Sequence, residues 1–205
     1  MDIAQVYSNI ATDFSNTRFS VWKGVQEFLD QVPPGSCVGD IGCGNGKNMM
    51  HRSSELKYFG ADICPEFVQI CKSRGLNVIE GSVLNIPYDK EHFDNVICVA
   101  VIHHLQDKTD RIKAIEELLR VTKYDGKILI YVWSFNQYVD CKHKFKSTDE
   151  MVPFTTKNGD KFYRYYHLYS SDELKNDVES ISKYNFIIEN TFNDKNNECI
   201  IIRKK

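Results

Sequence analysis

The run Val38-Gly39-Asp40-Ile41-Gly42-Cys43-Gly44-Asn45-Gly46-Lys47 constrains this chain more than any other stretch. An apolar segment ends in an acidic residue, three glycines follow at alternate positions, and the residues after them predict the start of a helix. Glycine at that density lets backbone N–H groups approach a ligand with no Cβ between them. A loop between strand and helix also sets those donors at the positive end of the helix dipole. The stretch therefore reads as a nucleotide-type cofactor loop on the first strand of an α/β fold.

The remaining sequence supplies the alternation such a fold needs. Strands are predicted at 36–41, 58–62, 76–80, 94–100 and 127–133, with helices near 46–54 and 65–74. A further helix is lined by Ile112, Ile115, Leu118, Leu119 and Val121, and Gly75 and Gly126 stand where helices should stop. Ahead of this unit, Ile3, Val6, Tyr7, Ile10, Ala11 and Phe14 recur at helical spacing, as do Val21, Trp22, Val25, Phe28 and Leu29. They make 1–34 a helical preface, closed by Pro33-Pro34-Gly35. The alternating core is 35–134. Residues 135–170, rich in Lys and aromatics, show no clear period. In 171–205, Leu174, Val178 and Ile181 predict one more helix. Phe186–Phe192 and Glu198–Ile202 then predict two strands joined by a hairpin-like turn at 193–197. The expectation is a single α/β domain, a doubly wound, seven-stranded, mostly parallel Rossmann-like sheet closed by an antiparallel hairpin. Ligands of such sheets sit at the C-terminal ends of the strands.

A formal charge of −2 over 205 residues gives no global nucleic-acid signature, so any such surface must be a local patch. The seven cysteines are scattered with no C-x-x-C pair and read as reduced thiols of a cytoplasmic protein rather than metal ligands or a disulfide framework. No signal-like segment opens the chain and no run has the length of a membrane span.

The loop also discriminates between cofactors. A dinucleotide fingerprint needs G-x-G-x-x-G, but here the glycines fall as G-x-G-x-G and Lys47 takes the sixth place. Asp62 ends the second strand sixteen positions after Gly46, where a carboxylate suits a ribose diol in either class. Asp40 would repel a pyrophosphate, yet would order the loop beside a positively charged sulfonium or α-amino group. A methionine-type cofactor is favoured over a dinucleotide, and a glycine-rich turn with no ligand is the remaining alternative.

These residues resemble the class I S-adenosylmethionine-dependent methyltransferases: Asp40 to Gly46 on the first strand and loop, Asp62 on the second, then Leu84-Asn85-Ile86-Pro87 and Phe93-Asp94. Narrower signals are Val99-Ala100-Val101-Ile102-His103-His104-Leu105 with Arg111-Ile112-Lys113-Ala114, and Leu129-Ile130-Tyr131-Val132-Trp133-Ser134. With Val6-Tyr7, Ile10-Ala11, Phe14-Ser15, Thr17-Arg18 and Tyr165-Tyr166-His167-Leu168-Tyr169, the chain is similar nearly end to end to the tRNA wobble-uridine carboxymethyl methyltransferases.

That resemblance implies methyl transfer from S-adenosylmethionine to the carboxylate of 5-carboxymethyluridine in the tRNA anticodon loop, giving the methyl ester. A carboxylate with pKa near ~4 is already ionised, so no general base is needed, only positioning and exclusion of water. The implied cofactor set is Asp40, Gly42, Gly44, Asn45, Gly46, Lys47, Asp62, Ile63, Ser82, Val83, Leu84, Val99 and Ala100. Ser82 departs from the family pattern, which usually has Asp there to accept from the adenine amino group; a hydroxyl can also accept. The implied acceptor side is Tyr7, Arg18, His103, Trp133, Arg164 and His167, with His104 read as structural. The 1–34 preface is expected to fold over the cofactor as a lid. Arg18 there reads as a carboxylate fork, for cofactor or substrate, or as a solvated loop arginine. Trp133 reads as a substrate contact or a core aromatic, and His103 as a substrate contact or a half-buried helix-start histidine.

An RNA footprint is sought between Tyr138 and His167. Lys142, Lys144, Lys146, Lys157, Lys161 and Arg164 outnumber Asp140, Asp149, Glu150 and Asp160, with six aromatics interleaved. Basic groups for phosphates and aromatics for an unstacked base suit single-stranded RNA, and a solvated insertion packing on the sheet edge is the other reading. The family also implies a small zinc-binding activator subunit that adds a strand to the sheet edge. Competing functions are methylation of a small carboxylic acid or other acceptor, and a non-catalytic subunit that keeps the fold.

Overall fold

The computed structural model describes residues 3–139 and 144–205. Its sheet runs β3-β2-β1-β4-β5-β9-β8, built from β1 (Cys37–Ile41), β2 (Lys57–Asp62), β3 (Val78–Glu80), β4 (Phe93–Val99), β5 (Thr122–Trp133), β8 (Phe186–Asp194) and β9 (Asn197–Lys204). The first five strands are parallel, and β9 is antiparallel to both β5 and β8. This is the expected sheet with its closing hairpin.

Alternation along the central strands sends neighbouring residues to opposite faces. On one face Val96, Cys98, Ile128, Ile130, Ile200 and Ile202 meet Ile115, Leu118 and Leu119 of α4 (Lys108–Val121) and Leu174 and Val178 of α5 (Glu173–Glu179). On the other, Val38, Ile97, Leu129 and Tyr131 take Val25, Phe28 and Leu29 of α2 (Lys23–Asp30). Each such aliphatic side chain contributes about 1.5–3 kcal/mol by leaving water. With both faces covered, central strands read as nearly unbroken apolar runs. α1 (Ile3–Ser15) lies instead against α3 (Pro65–Ser73) at the C-terminal edge of the sheet.

Three expectations are corrected. No helix fills 46–54; only a 3-10 turn forms at Asn48–Met50. The chain reverses at Arg52 (φ 51°), whose guanidinium donates to the Leu29 and Val32 carbonyls at 2.5 and 2.9 Å, capping the end of α2. The glycine loop thus has no helix dipole behind it. Second, α4 stops at Val121, and Gly126 lies inside β5, where a Cβ would come within 2.5 Å of the Asp94 carbonyl. Third, the aperiodic 135–170 segment holds an antiparallel hairpin, β6 (Asp149–Thr155) and β7 (Lys161–His167). Asp140, Cys141 and Lys142 lie outside the described residues. Among the described residues, no helix is long and apolar enough to cross a membrane.

Candidate active site

β1 pairs with β2 on one side and β4 on the other, so the strand order reverses around it and a cleft opens beyond their C-terminal ends. The glycine loop forms its floor. Gly42 and Cys43 N–H donate to the Ala61 carbonyl at 2.7 and 3.1 Å, which lashes the loop to β2. Gly44 adopts φ +53° and a Cβ there would meet nothing within 4 Å, because it would project into the cleft. Asp62 sits beneath, 8% exposed, accepting from Gly44 N–H at 2.7 Å and Cys64 N–H at 2.9 Å. Burial lifts its carboxyl to about 6 against those two donors. Its remaining lone pairs line the cleft.

The N-terminal helical segment is pinned to this floor. Asn45 Nδ2 donates to the Arg18 carbonyl (2.9 Å) and to Ser15 (3.3 Å), while Arg74 donates to the Asn45 carbonyl (2.6 Å) and Ser15 Oγ (3.1 Å). Lys47 carries its ammonium 5.0 Å from the Trp22 ring centroid. Burial, then the neighbouring Arg18 charge, lowers the Lys47 pKa. Opposite, β4 gives way to Ala100, held at φ 62° with its N–H donating to the Tyr131 carbonyl (3.0 Å). A non-glycine residue in that region stores on the order of 1 kcal/mol of strain. It turns Ala100 and Val101 towards the cleft, where the Val101 methyls fill the space a Gly42 side chain would need.

The far wall comes from α1, β5 and the β6–β7 hairpin. Along β7, Phe162, Arg164 and Tyr166 face inward and Tyr163 and Tyr165 outward. Arg164 is 5% exposed, its guanidinium 5.5 and 5.3 Å from the Phe154 and Tyr166 ring centroids. Among the described residues its Nε has no hydrogen-bond partner and no ion pair joins it to a carboxylate, while Nη2 donates to the Pro153 carbonyl at 3.5 Å. Trp133 closes this wall, 4.7 Å from Tyr166 centroid to centroid. His104 is fixed between Tyr7, whose hydroxyl donates to Nε2 (2.9 Å), and the Tyr165 carbonyl, which accepts from Nδ1 (2.8 Å). Burial lowers its pKa to about 4, so the ring is neutral at pH 7.

Of the sequence-derived set, the structure brings Tyr7, Arg18, Trp133 and Arg164 to the cleft with Gly42, Gly44, Asn45, Lys47, Asp62, Ile63, Ser82, Val83, Val99 and Ala100. Others are placed elsewhere. Asp40 is fully buried behind the loop, and among the described residues no donor meets full hydrogen-bond geometry with either carboxylate oxygen, though the Asn48 amide is near enough to favour the charged form. Gly46 is a packing glycine whose Cβ would strike Leu76 at 2.4 Å. Leu84 packs on the core, its N–H donating to Ser82 Oγ at 3.2 Å. The two histidines exchange the places expected of them. His103 is wholly buried, stacked on Tyr166 and accepting from Trp133 N–H (3.2 Å), while His104 lines the cleft. His167 points away from the cleft, between Asp149 (3.1 Å) and Glu173 (2.6 Å), and fastens β7 to α5. Burial lowers its pKa, but those two carboxylates outweigh that and raise it overall. Phe14, Trp22, Phe67, His104 and Tyr166 line the cleft without having been singled out as site residues. Helical spacing accounted for Phe14 and Trp22 in sequence, His104 read as structural, and Tyr166 entered through the family resemblance.

Asp40 yields a pH prediction. Burial lifts its carboxyl to about 7, with the Asn48 amide opposing. A carboxyl raised above its unfolded value of ~3.9 binds its proton more tightly when folded. Its stabilising effect is present below about pH 4 and lost as pH rises towards 7. Asp40→Asn should therefore gain on the wild type between pH 5 and pH 8, by about 1–3 kcal/mol in urea unfolding. An unchanged difference across that range refutes the assignment.

The cleft fits an adenosyl-type sulfonium cofactor. A buried carboxylate with spare lone pairs (Asp62) is followed by an apolar side chain left 41% exposed (Ile63), a hydroxyl (Ser82), and a glycine whose missing side chain leaves open space (Gly44). A family model described as "Methyltransferase domain" matches residues 39–130. The tRNA (carboxymethyluridine(34)-5-O)-methyltransferase of Schizosaccharomyces pombe is 33% identical over 224 residues, covering 98% of this chain and 96% of that one. The protein of the same name from Arabidopsis thaliana is 43% identical over 135 residues, 66% of this chain and 33% of its own. As with several other curated relatives, this chain spans about a third of that protein's length. The solved complex between the Haloferax volcanii Trm112 methyltransferase activator and a methyltransferase contains a chain 22% identical, with TM-score 0.55 over 64% of this chain and 60% of that one, a likeness of fold.

Proposed function

Because the chain belongs to the tRNA (carboxymethyluridine(34)-5-O)-methyltransferase family, we propose that it methylates the carboxylate of 5-carboxymethyluridine at the tRNA wobble position. The observation that carries this reading is Arg164. A buried guanidinium with no carboxylate partner is strongly unfavourable unless an anion joins it. A planar fork is the group best matched to a carboxylate. Trp133, Tyr166 and Phe14 around it offer flat apolar surface for an unstacked base.

When bound, S-adenosylmethionine supplies the activated methyl group; Gly42, Gly44, Asp62, Ile63 and Ser82 are the residues that would hold it. The chain's own contribution is to fix the acceptor. The nucleophile arrives ionised, so neutral His104 and un-ionised Tyr7 have no proton to remove. Arg164 neutralises and aims the carboxylate, and the lid excludes water. Outside the cleft, Phe19 (73% exposed) on the lid loop and Tyr163 (46%) on β7 are free to stack on neighbouring nucleotides. The names of the relatives favour this acceptor over a small carboxylic acid.

A small zinc-binding activator subunit belongs to the same proposal. β3 is three residues long and pairs only with β2 among the described strands, leaving an edge that can accept a partner strand. The test is nucleoside mass spectrometry of carboxymethyluridine-bearing tRNA incubated with the chain and S-adenosylmethionine, with and without an activator. Appearance of the wobble methyl ester is expected. Its absence under both conditions, with cofactor binding intact by calorimetry, overturns the reading.

A further inference from the structure

We propose that His104 is a positioning residue that strips Tyr7 of its donor capacity, so that Tyr7 presents only lone pairs to Arg164 and aims the guanidinium at the acceptor carboxylate. The inference rests on the carboxylate reading of Arg164, and it starts from hydrogen-bond arithmetic. The Tyr165 carbonyl can only accept, so His104 Nδ1, 2.8 Å away, carries the ring proton. A neutral imidazole has one N–H, so Nε2 is bare and accepts from the Tyr7 hydroxyl at 2.9 Å. A hydroxyl has one proton, and Tyr7 has committed it. What Tyr7 turns towards Arg164 and Tyr166, which line the same cleft, is an acceptor; in the free protein the guanidinium Nη2 rests 3.5 Å from the Pro153 carbonyl.

An acceptor there repels a carboxylate and attracts guanidinium N–H groups. Tyr7 therefore does not hold the substrate anion itself; it holds the group that does. The His104 anchor makes the arrangement metric. The carbonyl it grips belongs to Tyr165, between Arg164 and Tyr166 on β7, so one ring sets both the strand carrying the guanidinium and the hydroxyl that aims it. The rings are packed to keep it so: His104 stands 5.4 Å from Tyr7 and 4.6 Å from Tyr166, centroid to centroid. Burial under the lid keeps the imidazole neutral, which the tautomer requires.

Side-chain amides separate the two nitrogens. Asn at 104 places its amide near the Nδ1 position, and Gln reaches the Nε2 position. His104→Gln is expected to keep the acceptor for Tyr7 and stay within about threefold of wild type in KM for carboxymethyluridine tRNA. His104→Asn should raise that KM about tenfold, the scale of one misdirected charged hydrogen bond, with kcat and cofactor affinity nearly unchanged. Tyr7→Phe should match His104→Asn, and the double variant should be no worse than either. A second readout needs neither cofactor nor turnover. The ring ¹⁵N shifts of His104 in the full chain should show Nδ1 protonated and Nε2 bare, and titration of carboxymethyluridine-bearing anticodon RNA should weaken in His104→Asn. A protonated Nε2, equal RNA affinity in wild type and His104→Asn, or additive single effects overturns the proposal. A wild type that binds the RNA but makes no methyl ester fails the functional reading instead, while the tautomer and binding results still decide the role of His104.

Discussion

Arg164→Met is expected to lower kcat/KM for carboxymethyluridine tRNA by about 100-fold, with S-adenosylmethionine affinity within about twofold of wild type. The size follows from what the side chain supplies. Charge-assisted contacts contribute roughly 1.5–3 kcal/mol each, a planar fork makes two of them, and misaimed nucleophiles lose further ground through orientation. Methionine keeps the apolar contacts to Phe154 and Tyr166 while deleting the charge. Stability should not fall, and thermal unfolding should show an equal or higher midpoint, because the free protein no longer buries a cation that has no carboxylate partner among the described residues. Lysine should not restore activity, since a point charge lacks the fork. Steady-state kinetics with calorimetry and a melt check all three. A large stability loss with unchanged kinetics would return Arg164 to a packing role.

Gly44→Ala should weaken S-adenosylmethionine binding by about 30-fold or more while unfolding only slightly earlier than wild type. Two effects are present and one substitution elsewhere separates them. At φ +53° a Cβ strains the backbone by about 1 kcal/mol whatever surrounds it. The same Cβ also occupies cleft space that a ligand backbone approach needs. Gly35 has φ +84° and likewise nothing within 4 Å, but it lies before β1, at the opposite edge of the sheet. Gly35→Ala should therefore show the strain without the binding defect. Calorimetric titration of both variants decides it; equal cofactor affinity in the two refutes the cradle.

The sheet was legible because its signal is local. Val38 and Ile41, Val96 to Cys98 and Ile128 to Tyr131 each bury both faces, and a buried strand must be apolar wherever it lies in space. The helix expected at 46–54 failed because the deciding contact is distant. Arg52 spends its guanidinium on the end of α2, twenty and more residues earlier, and the backbone turns left-handed to reach it. The β6–β7 hairpin was hidden for a different reason. Its inward face includes a charged residue, Arg164, and its outward face includes aromatics, Tyr163 and Tyr165, so the period of two carries no hydrophobic contrast. His103 and His104 could not be told apart along the chain, since adjacent residues of a 3-10 turn face different sides and only the packing says which side is the cleft.

By itself the sequence determined the class of fold, the class of cofactor and the family, since each is carried by residue types in local patterns. Only the tertiary structure decided which polar groups are satisfied. Among the described residues, Asp40 is taken out of the cleft and left without a hydrogen bond behind it, His167 is absorbed into a bridge between Asp149 and Glu173, and Arg164 is buried with no counter-charge. Whether a charge meets its partner depends on elements far apart in the chain, and sequence spacing does not encode that distance.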